Sequence, residues 1–401
     1  MRVVRVRTGR RLAPWGDDVG DLRVLGQPLR ERQEIALRRS GLRVDGELDA
    51  AEAAVTPVGA DELRWNDDVD VTPQALRAFL RAAGPDGGQL ATLERPRRKG
   101  EVEVEASGPV WGKDEEPTRV VGVRIGPSDR VVVVPPWGFG GVMKAPGPFR
   151  SETPWWITDR SATTLGHWSH VLRANIAALP AAFGDRVVGS PWSVLWTWLR
   201  APLSAGGGRL AAVGRRCRIH PTARLEMCIL GDDVEVGAYS VLRGCVVGNG
   251  AKVEDHVTAK GAIVGPEAHV GNYSLFNISV LGARSSCSHI GAQACVIGDD
   301  TFVATFASML DLNLAGNIRV PFEGRLADTG TPFLGCAVGH RVRMGAGTWV
   351  AQGRMVPNDI TLVAPPGGVL ARIPEHVAPG VYTTEAGRLV PMTSAPVPAV
   401  G

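Results

Sequence analysis

The side chain best suited to take a proton from an attacking hydroxyl or amine near neutral pH is histidine. Six of the eight histidines stand in the C-terminal half of this chain, among them His256, His269, His289 and His340. The six cysteines, at positions 217, 228, 245, 287, 295 and 336, form no CxxC pair, so neither a zinc site nor a disulfide framework is expected. Between Met309 and Leu334 runs a polar stretch with Asp311, Asn313, Asn317, Arg319, Glu323, Arg325 and Asp328. Such a density of charged and hydrogen-bonding groups suits a ligand-binding excursion, and a plain surface loop explains it as well.

The elements that must position these residues follow from a repeat. An aliphatic–Gly doublet returns at Leu230-Gly231, Val247-Gly248, Val264-Gly265 and Leu281-Gly282, 17 residues apart each time, and at Ile297-Gly298 after 16. A second series runs six positions later, at Val236-Gly237, Val253-Glu254 and Val270-Gly271, and the pattern resumes at Val338-Gly339 and Met344-Gly345. One six-residue strand buries a single large side chain, so stability has to come from stacked coils whose aliphatics form continuous ladders. Three strands per coil make a triangular prism, and a left-handed parallel β-helix is predicted. The smaller residue four places after each aliphatic fills the corner. Glycine follows the aliphatic because the turn needs a conformation or a close approach that a Cβ obstructs. Cys228 and Cys245 share a ladder with Ala262 and Ser279, which makes these thiols small core fillers. His340 takes a turn position usually filled by Asp or Asn, while His256 and His269 fall at exposed repeat positions, none with metal-ligand spacing.

Charge and composition narrow the partners. With 44 basic and 41 acidic residues, a formal charge of +3 and no basic stripe interleaved with aromatics, nucleic acid is not expected. Arg95-Pro96-Arg97-Arg98-Lys99 reads as a solvated loop. The basic N-terminus lacks a secretory apolar core and no stretch reaches about 18 apolar residues, so a cytoplasmic protein without membrane contact is expected. The length favours several domains. We read an α/β domain over 1–150, a helical linker over 151–210, the β-helix over 211–384 and a flexible Pro/Ala-rich tail over 385–401. Residues 165–179 and 190–200 have helical spacing, with Trp168, Trp192, Trp196 and Trp198 packing these helices on the first coil. Residues 205–208 form a glycine hinge, and Pro365-Pro366-Gly367-Gly368 closes the β-helix.

The coil from Val270-Gly271-Asn272-Tyr273 to Leu281-Gly282, with the late Gly345-Ala346-Gly347-Thr348, resembles the hexapeptide-repeat transferases. Among them it looks like the bacterial glucosamine-1-phosphate acetyltransferase / N-acetylglucosamine-1-phosphate uridyltransferase and related sugar-1-phosphate nucleotidyltransferases. The resemblance implies a homotrimer that moves an acyl group from acyl-CoA, as co-substrate, to a sugar phosphate or nucleotide sugar at a site between subunits, with no metal implied. It also implies His289 as general base: counted forward from Gly282, it falls where the family's catalytic histidine falls. Counted back from Gly291, it falls instead on a neighbouring aromatic position. Asn272, Tyr273, Asn277, Asp311, Asn313 and Arg319 become the implied substrate-binding residues. Gly345, Ala346 and Gly347 would lie beside the pantetheine arm of acyl-CoA. Asn277 and Leu275 stand where the family has lysine and glutamate, so an acceptor other than glucosamine-1-phosphate is expected. Arg319, Arg325 and Arg343 could supply a phosphate clamp.

Residues 25–42 and 65–80 resemble two segments of sugar nucleotidyltransferases: the helix after the nucleotide loop, and the stretch carrying an acidic metal ligand, which here would be Asp68 or Asp70. A working nucleotide loop cradles phosphates with glycine N–H groups and a following basic residue. The corresponding Thr8-Gly9-Arg10-Arg11-Leu12-Ala13-Pro14 has one glycine, and no lysine precedes Lys99. A degenerate, inactive nucleotidyltransferase-like domain is expected, or an unrelated small α/β module. Two further functions stay open: a non-catalytic sugar-nucleotide-binding assembly or regulatory protein, and a divergent sugar-1-phosphate nucleotidyltransferase. His289 and the polar excursion favour the enzyme. The missing loop glycines and the exchange at Asn277 and Leu275 favour the scaffold.

Overall fold

The computed structural model describes residues 1–93, 118–134, 138–144, 152–189, 192, 211–289, 291–322, 324–363, 369–370 and 372–392. Outside them lie the basic run at 95–99, the expected helix at 190–200 except Trp192, the glycine hinge, the Pro365-Gly368 closure and the end of the tail. The chain divides into two compact units, one of residues 1–12, 16–189 and 321–332, the other of residues 13–15, 190–320 and 333–401.

The first unit is a mixed sheet with helices. Its elements include β1 (Arg2–Arg7), α1 (Leu29–Arg38), β2 (Gly46–Asp49), β3 (Glu62–Asn66), β4 (Val69–Val71), α2 (Pro73–Ala83), β5 (Gly88–Leu93), β6 (Thr118–Ile125), β7 (Val131–Val134), β8 (Ala162–Thr164) and α3 (Trp168–Gly189), beside a short helix over Ala50–Val55 and the separate strand pair Gly138–Lys144/Glu152–Thr158. The six-stranded sheet has the order β7-β5-β6-β3-β1-β2. It is parallel where β1 meets β2 and β3 and where β7 meets β5, and antiparallel where β6 meets β3 and β5. β4 pairs separately with β8. In α2 the Thr72 hydroxyl caps the first turn by accepting from the Ala75 N–H, Pro73 occupies a position that needs no donor, and Ala75, Leu76, Phe79 and Ala83 form the buried face. Strands outnumber helices, so the unit is α/β only in this mixed sense.

The helix read over 165–179 forms as α3 and continues through Pro180. Trp168 is fully buried and belongs to the first unit. Trp192 is 78% exposed, which corrects the expectation that it covers a coil. Trp196 and Trp198 lie outside the described residues. Among the described residues no helix is long and apolar enough to cross a membrane.

The second unit is the parallel β-helix that the repeat predicts. Its first face stacks eight strands, from Ala211–Val213 to Met355–Val356. The second face runs from Arg218–Ile219 through Ile360–Leu362 and ends on the hairpin Gly380–Glu385/Arg388–Pro391. The third holds five strands, Arg224–Glu226 to Gly291–Gln293, and a further three, Ser308–Met309, Trp349–Val350 and Val369–Leu370. Register advances by one repeat per rung, so Leu230, Val247, Val264, Leu281, Ile297, Val338 and Val356 lie one over another and are all buried. The column of Cys228, Cys245, Ala262 and Ser279 continues as Cys295 and Cys336, equally buried. Burial pushes the thiols of Cys245, Cys287 and Cys336 up, which keeps them neutral fillers of an apolar core.

Close approach, not backbone conformation, explains the doublet glycines. A Cβ on Gly282 would sit 2.4 Å from the Gly298 carbonyl carbon of the next coil. The left-handed residue comes two places later, as in Arg284 (φ 55°) and Asp300 (φ 54°). Each coil has three such corners, and each corner collects one kind of side chain. One is charged, with ion pairs Arg216–Asp233, Arg284–Asp300 and Arg341–Asp359 joining successive coils. A second is small or aliphatic: Met227, Gly244, Gly261, Ile278, Ala294 and Gly353. The third is a column of rings, Tyr239, His256, Tyr273, His289 and Phe306, all with positive φ.

In that column His256 lies nearly parallel to Tyr239 (centroids 5.1 Å, 16°) and Tyr273 (4.9 Å, 4°). Left-handed backbone costs an L-residue roughly 1–2 kcal/mol, and stacked pairs offset it by about 0.5–1.5 kcal/mol each. Tyr273→Ala, which removes both its ring contacts, is expected to destabilise the β-helix by about 1–2 kcal/mol, read as a lower urea midpoint. An unchanged midpoint would mean that the column forms without holding coils together.

Candidate active site

The structure places the sequence-derived residues in separate groups. His289 is an exposed member of the ring column, edge-on to Tyr273 (5.7 Å, 61°) and Phe306 (5.4 Å, 72°). Of the two countings of its position, the aromatic one describes where it stands. Among the described residues no carboxylate is hydrogen-bonded to its ring. Asn272, one residue before Tyr273, accepts the Asp255 N–H at 2.9 Å. This bond belongs to a set in which the residue after a doublet reaches back one coil to cap a free N–H, as Asn249 does for Asp232 and Asp299 for Ala283. His340 does the same work: its Nδ1 accepts the Asp299 N–H at 2.8 Å, which explains an imidazole at an Asp/Asn position.

Asn277 stands on the third face, where its side-chain amide donates to Gln293 Oε1 at 3.4 Å while its Oδ1 is buried without a hydrogen-bond partner. Asp311 opens the excursion. It is half-buried, and burial raises its carboxyl above the usual range. Asn313 closes a local turn by accepting from Ala315 N–H and donating to Asn317 O. Arg319 is exposed, and its carbonyl accepts from the partly buried Arg354. Gly345 is tight, since a Cβ there would meet Leu362 O at 2.9 Å, whereas Gly347 (φ 73°) has open space around it. Ala346 between them is exposed. Gly347 takes the rung after Phe306 and ends the ring column for want of a side chain.

A constellation not read from the sequence lies on the second face. There Val253, Val270 and Cys287 point inward, and Lys252, His269, Ser286 and Phe302 form the outward column, one per coil. His269 Nε2 is 2.9 Å from Glu254 Oε1 and its Nδ1 is 3.0 Å from Ser286 Oγ. A carboxylate only accepts, so Nε2 carries the proton and Nδ1 accepts from the serine hydroxyl. The His269 side chain is 36% exposed and Glu254 29%, so the expectation of a merely exposed repeat position is corrected: this imidazole is wedged between two partners and still open to solvent. Lys252 Nζ lies 3.6 Å from the same carboxylate oxygen. Spacings of 15 and 17 residues, the coil length and two less, were the sequence signal for it.

In the first unit the acidic residues are spoken for. Both oxygens of Asp70 are held by Arg32, at 2.8 and 3.1 Å. Asp67 accepts from both the N–H and the hydroxyl of Thr8, which uses up a donor of the loop that the resemblance assigns to phosphate. Asp68 pairs with Arg10 at 3.2 Å, and its other oxygen is buried without a hydrogen-bond partner. Burial outweighs Arg10 and lifts the Asp68 carboxyl to about 6. Among the described residues no group of three or more His, Cys, Asp or Glu side chains could hold a metal ion. Nearby, burial lowers His167 to about 3, so it stays a neutral ring beside Phe322.

The sign for Asp68 is that of a raised carboxyl. Its folded state holds the proton more tightly than the unfolded chain, so its contribution is complete below pH 3.8 and is lost as pH rises through about 6. A shift of this size amounts to about 3 kcal/mol. Asp68→Asn is expected to flatten the fall of stability between pH 4.5 and 7.5, measured as the difference in urea midpoints between wild type and variant. Parallel curves would refute it.

No family model and no curated protein matches this chain. Among solved structures the chain is similar to the acetyltransferase domain of PglB from Neisseria gonorrhoeae FA1090, at 13% identity and TM-score 0.21, over 39% of this chain and 56% of that one. The same domain in complex with acetyl coenzyme A gives 14% identity and TM-score 0.17, over 45% and 57%. The Francisella novicida UDP-N-acetylglucosamine acyltransferase gives 12% and 0.28, over 45% and 69%. The chain thus spans little more than half of the Neisseria domain. Likeness at this level says nothing about chemistry, which rests on the chain's own residues.

Proposed function

We propose that the chain is an acyltransferase of the hexapeptide-repeat kind, moving an acyl group from acyl-CoA to a hydroxyl or amine of a sugar phosphate or nucleotide sugar. The observation that carries this reading is the chain Glu254–His269–Ser286, an imidazole oriented by a carboxylate with its base nitrogen against a hydroxyl, on an open face of a β-helix. Acyl transfer needs such a base to take the proton of the attacking group. Gly345, Ala346 and Gly347 leave a coil edge bare enough for an extended pantetheine arm. Asn277, Asp311, Asn313 and Arg319, on the third face and the excursion, are the groups offered to a polar acceptor, and Asn272, Tyr273 and His289 line the corner between the two faces. His289 is the alternative base. A closed trimer acting in the cytoplasm completes this reading.

The first unit, in the same reading, is a nucleotidyltransferase-like domain that has lost its chemistry. Supporting this, Asp68 and Asp70 are both engaged by arginines, and Thr8 spends its N–H on Asp67.

The test is thiol release from acetyl-CoA by the purified full chain, with a panel of amino sugars, sugar phosphates and nucleotide sugars. Release with at least one acceptor is expected. No release with any donor and acceptor sinks the enzyme and leaves the binding or regulatory protein.

A further inference from the structure

We propose that Ser286 is a nucleophile that carries the acyl group covalently, so that transfer proceeds through an acyl-serine. This deepens the acyl-transfer reading and rests on it. The base nitrogen of His269 faces the Ser286 hydroxyl at 3.0 Å, and the opposite nitrogen is held by Glu254 at 2.9 Å. The nearest proton for this base to take is therefore the protein's own. Carboxylate, imidazole and hydroxyl in hydrogen-bonded series are the parts of an activated serine, recognised by geometry and not by chain order. The three residues come from successive coils, whose backbone ladders fix their spacing: His269 pairs with Ser286 in register, one rung apart. Phe302 takes the next rung beyond Ser286 and is 45% exposed. It offers an apolar surface beside the hydroxyl, which suits an uncharged acyl group.

The step balances without a redox partner. Ser286 Oγ attacks the thioester carbonyl carbon, an Oγ–C bond forms and the C–S bond breaks. The hydroxyl proton passes to His269 Nδ1 and then to the departing thiolate. In the second half the acceptor's hydroxyl or amine attacks the same carbon, His269 takes its proton, the C–Oγ bond breaks and the proton returns to Oγ.

To test this, the full chain is mixed with 4-nitrophenyl acetate or with acetyl-CoA, quenched in acid and read by intact mass and peptide mapping. One acetyl group is expected on the peptide containing Ser286, formed with a stoichiometric burst of 4-nitrophenolate. The adduct should be absent from Ser286→Ala, be slowed about 100-fold or more in His269→Ala, and persist as a thioester in Ser286→Cys. Circular-dichroism melts of each variant separate lost chemistry from lost fold. An unmodified Ser286 with both donors, or modification at the wild-type rate in His269→Ala, overturns the proposal. Thiol release without acyl-Ser286 overturns the covalent step and leaves direct transfer standing. An adduct from the ester without thiol release supports the nucleophile and removes acyl-CoA as the donor. Neither adduct nor release overturns both readings.

Discussion

His269→Ala is expected to lower kcat/KM for acyl transfer by roughly 10²–10⁴-fold, the range for loss of a positioned general base, with little change in the urea midpoint. The reason is geometric. His269 sits on the outward column of a face whose inward rungs, Val253, Val270 and Cys287, carry the packing, so truncating it leaves the core intact. Glu254→Gln should give a smaller loss, because an amide no longer fixes which ring nitrogen bears the proton. The same assay on His289→Ala decides between the two histidines. A loss confined to His289→Ala would move the base to the ring column and cancel the role given to the second face.

The largest effect on stability is expected from Arg32→Ala, at about 3–5 kcal/mol, seen as an early unfolding transition of the first unit in urea. The Asp70 side chain is 2% exposed and its two oxygens have Arg32 as a fork-shaped partner, itself 12% exposed. Removing the guanidinium leaves a carboxylate buried with its charge uncompensated, and that penalty exceeds what the pair contributes when intact. Replacing both residues, as in Arg32→Met with Asp70→Leu, should recover most of the loss. If Arg32→Ala unfolds at the wild-type midpoint, Asp70 has another partner and its assignment as a structural ion pair fails.

Much of the β-helix was legible because its period is written in residues that have no alternative use. A ladder of aliphatics at 17-residue steps cannot be buried in any other arrangement, and Leu230 through Val356 occupy the rungs their spacing assigns. The same regularity concealed the chemistry. His269, Ser286 and Glu254 look like ordinary outward positions one by one, and they become a unit only when register sets them on adjacent coils. His289 stood out by resemblance, yet three-dimensional neighbours make it one ring among five.

In the first unit, the helical spacing read over 165–179 formed as a helix, since such spacing acts within a few residues. The acidic run at Asp67, Asp68 and Asp70 could not be interpreted locally. Its partners come from the loop after β1 (Thr8 and Arg10) and from α1 (Arg32), some forty to sixty residues away.

By itself, then, the sequence determined the parts ruled by short-range periodicity: coil length, the buried ladders, the thiols as filler and the helix over 165–179. Tertiary structure alone decided which carboxylates are neutralised, which glycines are forced by a neighbouring coil and which imidazole has a hydroxyl and a carboxylate at its two nitrogens. The difference has one cause. Periodicity is a property of neighbours along the chain, whereas a hydrogen bond of 3 Å between residues 17 apart exists only once the coil has closed.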